Sequence, residues 1–96
     1  VKVVWDDAKS VANWRKHGVS FEEARDIFLP DIDYVEIFDE EHSEIEDRFI
    51  AIGPIRRGLV LVVWSERDEN EVRIISARWA TRSEQSLFRD YLRKAK

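Results

Sequence analysis

The chain has 96 residues, with 16 Lys and Arg against 20 Asp and Glu and a formal charge of −4, which at face value argues against nucleic-acid binding. It has no cysteine, which excludes disulfides, thiol nucleophiles and thiolate zinc sites. No apolar run approaches the ~18 residues of a membrane-spanning helix, so a single soluble domain over residues 1–96 in a reducing cytoplasm is expected. The total charge hides a division. Residues 1–30 carry five charges of each sign, residues 31–47 nine acidic and no basic ones, and residues 48–96 eleven basic against six acidic ones. Such asymmetry is more informative than the sum.

Val1 to Trp5 reads as a first strand. Asp6 or Asp7 then caps a helix running through Ala8, Val11 and Ala12 to His17, with Gly18 as its stop. A second helix is announced by a capping box, Ser20 with Glu23, and shows Phe21, Ala24, Ile27 and Phe28 on one face before Pro30 ends it. From Asp33 the period changes to two. Tyr34 to Phe38, Arg48 to Ile52, Leu59 to Ser65 and Glu71 to Arg78 predict four strands. The separators Pro54 to Gly58 and Glu66 to Asn70 predict hairpin loops, which makes the last three strands an antiparallel meander. The Leu59 run, apolar on both faces, belongs at the sheet centre. Thr81 with Glu84 caps a final helix bearing Leu87, Phe88, Tyr91 and Leu92 at helical spacing. The order β-α-α-β-β-β-β-α predicts an α+β domain with helices packed against an antiparallel sheet.

The inventory of reactive residues is short. Gly18, Gly53 and Gly58 are isolated, so no phosphate-cradling glycine loop exists, and no G-x-S-x-G elbow is present. His17 and His42 lie 25 residues apart without metal-ligand spacing, and no metal site is expected. Arginines instead gather near strand ends: Arg48, Arg67, Arg73 and Arg78, with Arg82 just inside the last helix. Guanidinium groups fork onto phosphate oxygens, although the same residues suit a solvated rim pairing with Glu66, Asp68 and Glu69. Plain alternation puts Arg73 and Arg78 on opposite faces of β-structure. Lys16 and His17 end the first helix, where the dipole favours cations; they serve either as a simple cap or as a phosphate contact with a proton donor. Trp5, Trp14, Trp64 and Trp79 suit the core, Trp79 being the one best placed to stack on a base. The acidic stretch 31–47 is either a solvated loop or a docking surface for a basic partner, with Tyr34, Val35, Ile37 and Phe38 as its apolar part.

Taken together, Trp5-Asp6, Lys9, Asn13, Lys16-His17-Gly18-Val19, Phe21, Ala24, Glu46, Arg48-Phe49, Ile52-Gly53, Glu66-Arg67, Arg73 to Arg78, Ala80-Thr81 and Glu84 resemble the BrnT family of type II toxins over nearly the whole chain. The resemblance implies a small RelE-like fold and a metal-independent endoribonuclease without cofactor that arrests translation. It also implies neutralisation by a BrnA-like ribbon-helix-helix antitoxin in a hetero-oligomer that touches promoter DNA only through the antitoxin. Carried over by position, the implied catalytic set is His17, Glu66, Arg67 and Arg78. Arg67 and Arg78 would face the phosphorane, and His17 or Glu66 would move protons. Lys16, Arg48, Arg73, Trp79, Thr81 and Arg82 would contact RNA. Two positions depart from the family pattern: Trp79 stands where a basic residue is common, and Phe88 where a tyrosine is. The alternative is a catalytically weak homologue that binds antitoxin as a co-repressor.

Overall fold

The computed structural model of the chain describes residues 1–42 and 46–94. In chain order it contains β1 (Lys2–Val4), α1 (Asp7–His17), α2 (Phe21–Ala24) continued by a 3₁₀ turn (Arg25–Phe28), and β2 (Val35–Phe38). A second 3₁₀ turn (Glu40–His42), β3 (Arg48–Ile55), β4 (Gly58–Asp68), β5 (Glu71–Trp79) and α3 (Arg82–Lys94) follow. The expected α+β order is therefore observed. The strands form one five-stranded sheet in the order β1-β5-β4-β3-β2, antiparallel from β2 to β5, with β1 parallel to β5 at one edge. A parallel pair needs a crossover, and β1 obtains one because the chain passes through both N-terminal helices and three strands before β5 returns beside it.

The hairpins are tighter than composition predicts. Arg56 and Arg57 alone separate β3 from β4, and Glu69 and Asn70 alone separate β4 from β5. In the second turn the Asp68 carboxylate accepts the Asn70 N–H at 3.0 Å, a local bond that closes the loop without a glycine.

Helices cover both faces of the sheet. On one, Val19 from the α1–α2 link, Phe21 and Ala24 of α2 and Ile27 of the 3₁₀ turn meet Ala51, Val60, Val62, Trp64, Val72, Ile74 and Ala77. On the other, Phe88 and Leu92 of α3 pack on Val35, Ile52, Leu61, Ile50 and Val63. Each fully buried Phe or Ile contributes roughly 2 kcal/mol of apolar transfer. Gly53 is needed where the first face is tightest, since a Cβ there would meet the Tyr34 Cβ at 2.9 Å.

The first helix does not bury an apolar stripe. Val11 is exposed, and the residues α1 turns inward are Ser10 and Asn13. Both are polar because they close backbone groups of other elements. Ser10 Oγ accepts the Phe21 N–H at 3.1 Å. Asn13 Nδ2 donates to the carbonyls of Val19 (2.9 Å) and Ala77 (2.7 Å), while its Oδ1 accepts the Ala77 N–H at 3.2 Å. β1 pairs with β5 only from Glu71 to Arg73. Beyond that point the Asn13 amide takes the place of a neighbouring strand, satisfying both polar groups of Ala77. Asn13→Ala leaves three buried backbone groups without partners, and the expected loss is about 3 kcal/mol, read as a fall in Tm of more than about 10 °C by calorimetry.

Candidate active site

Two β-bulges decide where the arginines point. Along β4 and β5, Trp64 faces Ile74 while Val63 faces Ser76, so Ile75 is an extra residue on β5. An extra residue shifts the alternation by one. Arg73 then pairs with Ser65 and Arg78 with Leu61, and Ser65 and Leu61 lie on the same side of β4. Both arginines thus occupy the α3 face, contrary to plain alternation. Their partners are four residues apart, so roughly 13 Å separates them along the strand. The second bulge places Arg67 as the unmatched residue between the pairs Glu66–Val72 and Asp68–Glu71.

Arg48 pairs with Ser65 from the other side, which makes Arg48, Ser65 and Arg73 one transverse row on the α3 face. The apolar cluster beneath α3 ends at Ile50 and Val63, one row short of it. Ser65 is fully buried, and among the described residues its hydroxyl has no hydrogen-bond partner. A buried unpaired hydroxyl costs about 1–3 kcal/mol, so its place between two half-buried guanidinium residues is a costly one. Sequence reasoning missed Ser65; the signal was a polar residue ending the apolar run Leu59 to Trp64. The row continues into a pocket of about 280 Å³ lined by Val4, Trp5, Asp6, Arg67, Glu71 and Arg73. Glu71, also missed, is held loosely there by Arg67 (3.9 Å) and Lys2 (4.0 Å). Among the described residues no three His, Asp or Glu side chains converge as a metal-binding group.

The other implied residues do not join this group. Lys16 and His17 end α1 beside Gly18, whose left-handed backbone (φ 72°) turns the chain against Trp79. Trp79 pairs with Val60, seven residues from Arg67 along β4, so His17 lies roughly 20 Å from the arginine pocket. Glu66, opposite Val72, faces the α1 side and is exposed. His17, Glu66 and Arg67 therefore cannot act on one phosphate together. Trp79, expected to be the exposed tryptophan, is half-buried against the core, whereas Trp14 is 51% exposed. Phe88 is buried beneath α3, so the position serves packing.

Two ion pairs fix the loops near α1 and α3. Arg57, at the tip of the β3–β4 hairpin, donates to Glu23 at 2.7 and 2.9 Å and to the Gly18 carbonyl at 2.8 Å, and its guanidinium lies over Trp14 and Trp79. This clip fastens the hairpin to the Ser20–Glu23 capping box of α2. Arg78 donates to both oxygens of Glu84, at 2.8 and 2.9 Å, and to the Trp79 carbonyl. Glu84 also completes the cap of α3 by accepting the Thr81 N–H, with its own N–H given to Thr81 Oγ1. Arg82 follows, exposed in the first turn.

A family model described as "Ribonuclease toxin, BrnT, of type II toxin-antitoxin system" matches residues 5–84. Among solved structures, the 1.1 Å crystal structure of the Brucella abortus ribonuclease toxin BrnT is similar, with a TM-score of 0.63 and 23% identity. The match covers 85% of this chain and 99% of that one. No curated protein matches the chain.

The hydrogen bonds from Arg78, outweighing partial burial, hold the Glu84 carboxyl at about 2 against an ordinary 4.5. A lowered folded value stabilises the fold fully above pH 4.5, and the contribution is lost as pH falls towards 2. Because Arg78 is 38% exposed, screening leaves about 2 kcal/mol of it. Urea unfolding should show Glu84→Gln less stable by that amount at pH 7 and level with the parent near pH 2.

Proposed function

The chain belongs to the BrnT family of ribonuclease toxins of type II toxin-antitoxin systems, and we propose that it cleaves RNA at the end of the sheet where Arg48, Arg67 and Arg73 converge. The observation that carries this reading is the pair of bulges, which turns Arg67 out and brings Arg73 into one row with Arg48 beside the Glu71 carboxylate. Bulges commonly re-aim side chains next to active sites.

The chemistry follows from what such a set can do. The 2′-hydroxyl of one nucleotide attacks the adjacent phosphorus while Glu71 accepts its proton. Arg67 and Arg73, with Arg48 behind them, neutralise the charge that builds on the phosphorane oxygens. The bond to the 5′-oxygen then breaks, and a proton returns to that oxygen. The products are a 2′,3′-cyclic phosphate and a 5′-hydroxyl, and no water is consumed. Arginine supplies the charge stabilisation that a divalent cation would otherwise give, so cleavage proceeds without metal. Lys16 and His17, with Trp14 nearby, contact RNA away from the scissile phosphate. Arg78, Thr81 and Arg82 border the opposite end of the same face.

Family membership supports the rest. Arrest of translation follows from RNA loss, and the neutralising partner is a ribbon-helix-helix antitoxin of the BrnA type that carries the promoter contact. One observation favours a second reading, a catalytically silent co-repressor: Arg78, on the same face, is already bound through two nitrogens to Glu84.

Incubation of the purified protein with total RNA decides between them. Cleavage that persists in excess chelator, leaving cyclic phosphate ends, is expected. Arg67→Ala and Arg73→Ala should each lower the rate at least ~100-fold with unchanged circular dichroism and Tm. A need for divalent metal contradicts the arginine chemistry, and no cleavage at all supports the co-repressor.

A further inference from the structure

Among the described residues β2 is the last strand of the sheet, with nothing paired beyond it. The Asp39 N–H donates to the Arg48 carbonyl at 2.9 Å, continuing the β2–β3 ladder by one residue. In an antiparallel pair the residues bonded to the partner alternate. Asp39, Ile37 and Val35 therefore face β3, and the N–H and C=O groups of Glu36 and Phe38 point outward.

This edge is short and carries one charge, Glu36, but lacks the other usual protections. The strand Val35–Phe38 contains no proline, no lysine and no bulge. Val35 is buried, but the other two apolar side chains are open, one on each face: Ile37, opposite Ile50 on the α3 face, is 39% exposed, and Phe38, edge-on to Phe49 at 5.5 Å on the other, is 45% exposed. A bare apolar edge of this kind is a template for strand addition.

Charge selects what can add. Glu36 stands in the strand, and Asp31, Asp33, Asp39, Glu40 and Glu41 flank it, in a stretch with no basic residue. A second copy of the chain would bring carboxylates against carboxylates, and RNA would bring phosphate against them; both are repelled. A segment with an apolar centre and cationic ends gains on every count. We infer that the outer edge of β2 is the docking line for an extended basic segment of the antitoxin, which joins the sheet as a further strand. The occupant rests on the toxin reading above. Because Asp39 and Arg48 are neighbours across the β2–β3 ladder, such a strand lies beside the arginine row and hinders RNA there.

The test uses the isotope-labelled full chain and a soluble surrogate, acetyl-KKVTVTVKK-amide, with acetyl-EEVTVTVEE-amide as control. Titration followed by amide NMR should shift the Glu36 and Phe38 N–H signals and slow their hydrogen exchange, weakening as salt rises. The glutamate peptide should not bind. Glu36→Lys should weaken the lysine peptide at least tenfold, and Glu36→Pro, which deletes an outward N–H without breaking the β2–β3 ladder, should abolish binding. Shifts centred on Val11 and Trp14 or on Arg73, equal binding of both peptides, or an undiminished Glu36→Pro variant would overturn the inference. The titration does not read cleavage, so failure here with RNA cleavage intact rejects the docking line alone. Loss of cleavage with the peptide still bound rejects only the catalytic reading.

Discussion

The closure of the Asn13 amide on the backbone of Ala77 is the contact on which the arrangement turns. β1 is too short to accompany β5 beyond Arg73, so the outer side of β5 would otherwise present unpaired polar groups to the core. A side-chain amide that aims a donor at the C=O and an acceptor at the N–H of one residue replaces the missing strand. It also locks α1 across the sheet, and with α1 the Gly18 turn and the Ser20–Glu23 capping box follow. Just before Ala77 in the chain, Ile75 is squeezed out of register, and that extra residue aligns Arg73 and Arg78 on one face. The Asn13 closure and the bulge that aligns these arginines thus lie two residues apart on β5.

Much of this was legible in the residues. The two capping boxes and the Gly18 stop locate the three α-helices, because each rests on local chemistry, a hydroxyl, a carboxylate or a left-handed glycine, and the four period-two runs locate β2 to β5 within a few positions. The face of α1 was not legible, since Ser10 and Asn13 are inward only because of partners 11 and 64 residues away. Alternation failed at Arg73 for a similar reason. A bulge is a property of two strands together, and nothing within Arg73 to Arg78 alone announces that Ile75 is unmatched. Resemblance named Arg48, Arg67 and Arg73 together with His17, and only pairing shows that the three arginines share one end of the sheet while His17 lies at the other. Glu71 and Ser65 carried no motif and emerged only from pairing.

The division of charge along the chain acquires a spatial meaning. The basic half supplies β3, β4, β5 and α3, with Arg48, Arg67 and Arg73 at one end of the sheet and Arg57, Arg78 and Arg82 at the other, whereas acidic residues flank the edge strand β2. The two regions meet at the Asp39–Arg48 step of the ladder. A cationic surface and an acidic line lie side by side, as the proposed separate contacts to RNA and to a basic protein segment require. Net charge, which averages the two, conceals both.

The most direct measurement of the central claim is a crystal structure with a short RNA whose 2′-hydroxyls are methylated, so that it binds without being cleaved. The account predicts one phosphate within hydrogen-bond distance of the Arg67 and Arg73 guanidinium groups, with the adjacent 2′-oxygen turned to Glu71. A phosphate seated instead on Lys16 and His17, with the Arg48, Ser65 and Arg73 row vacant, would contradict it.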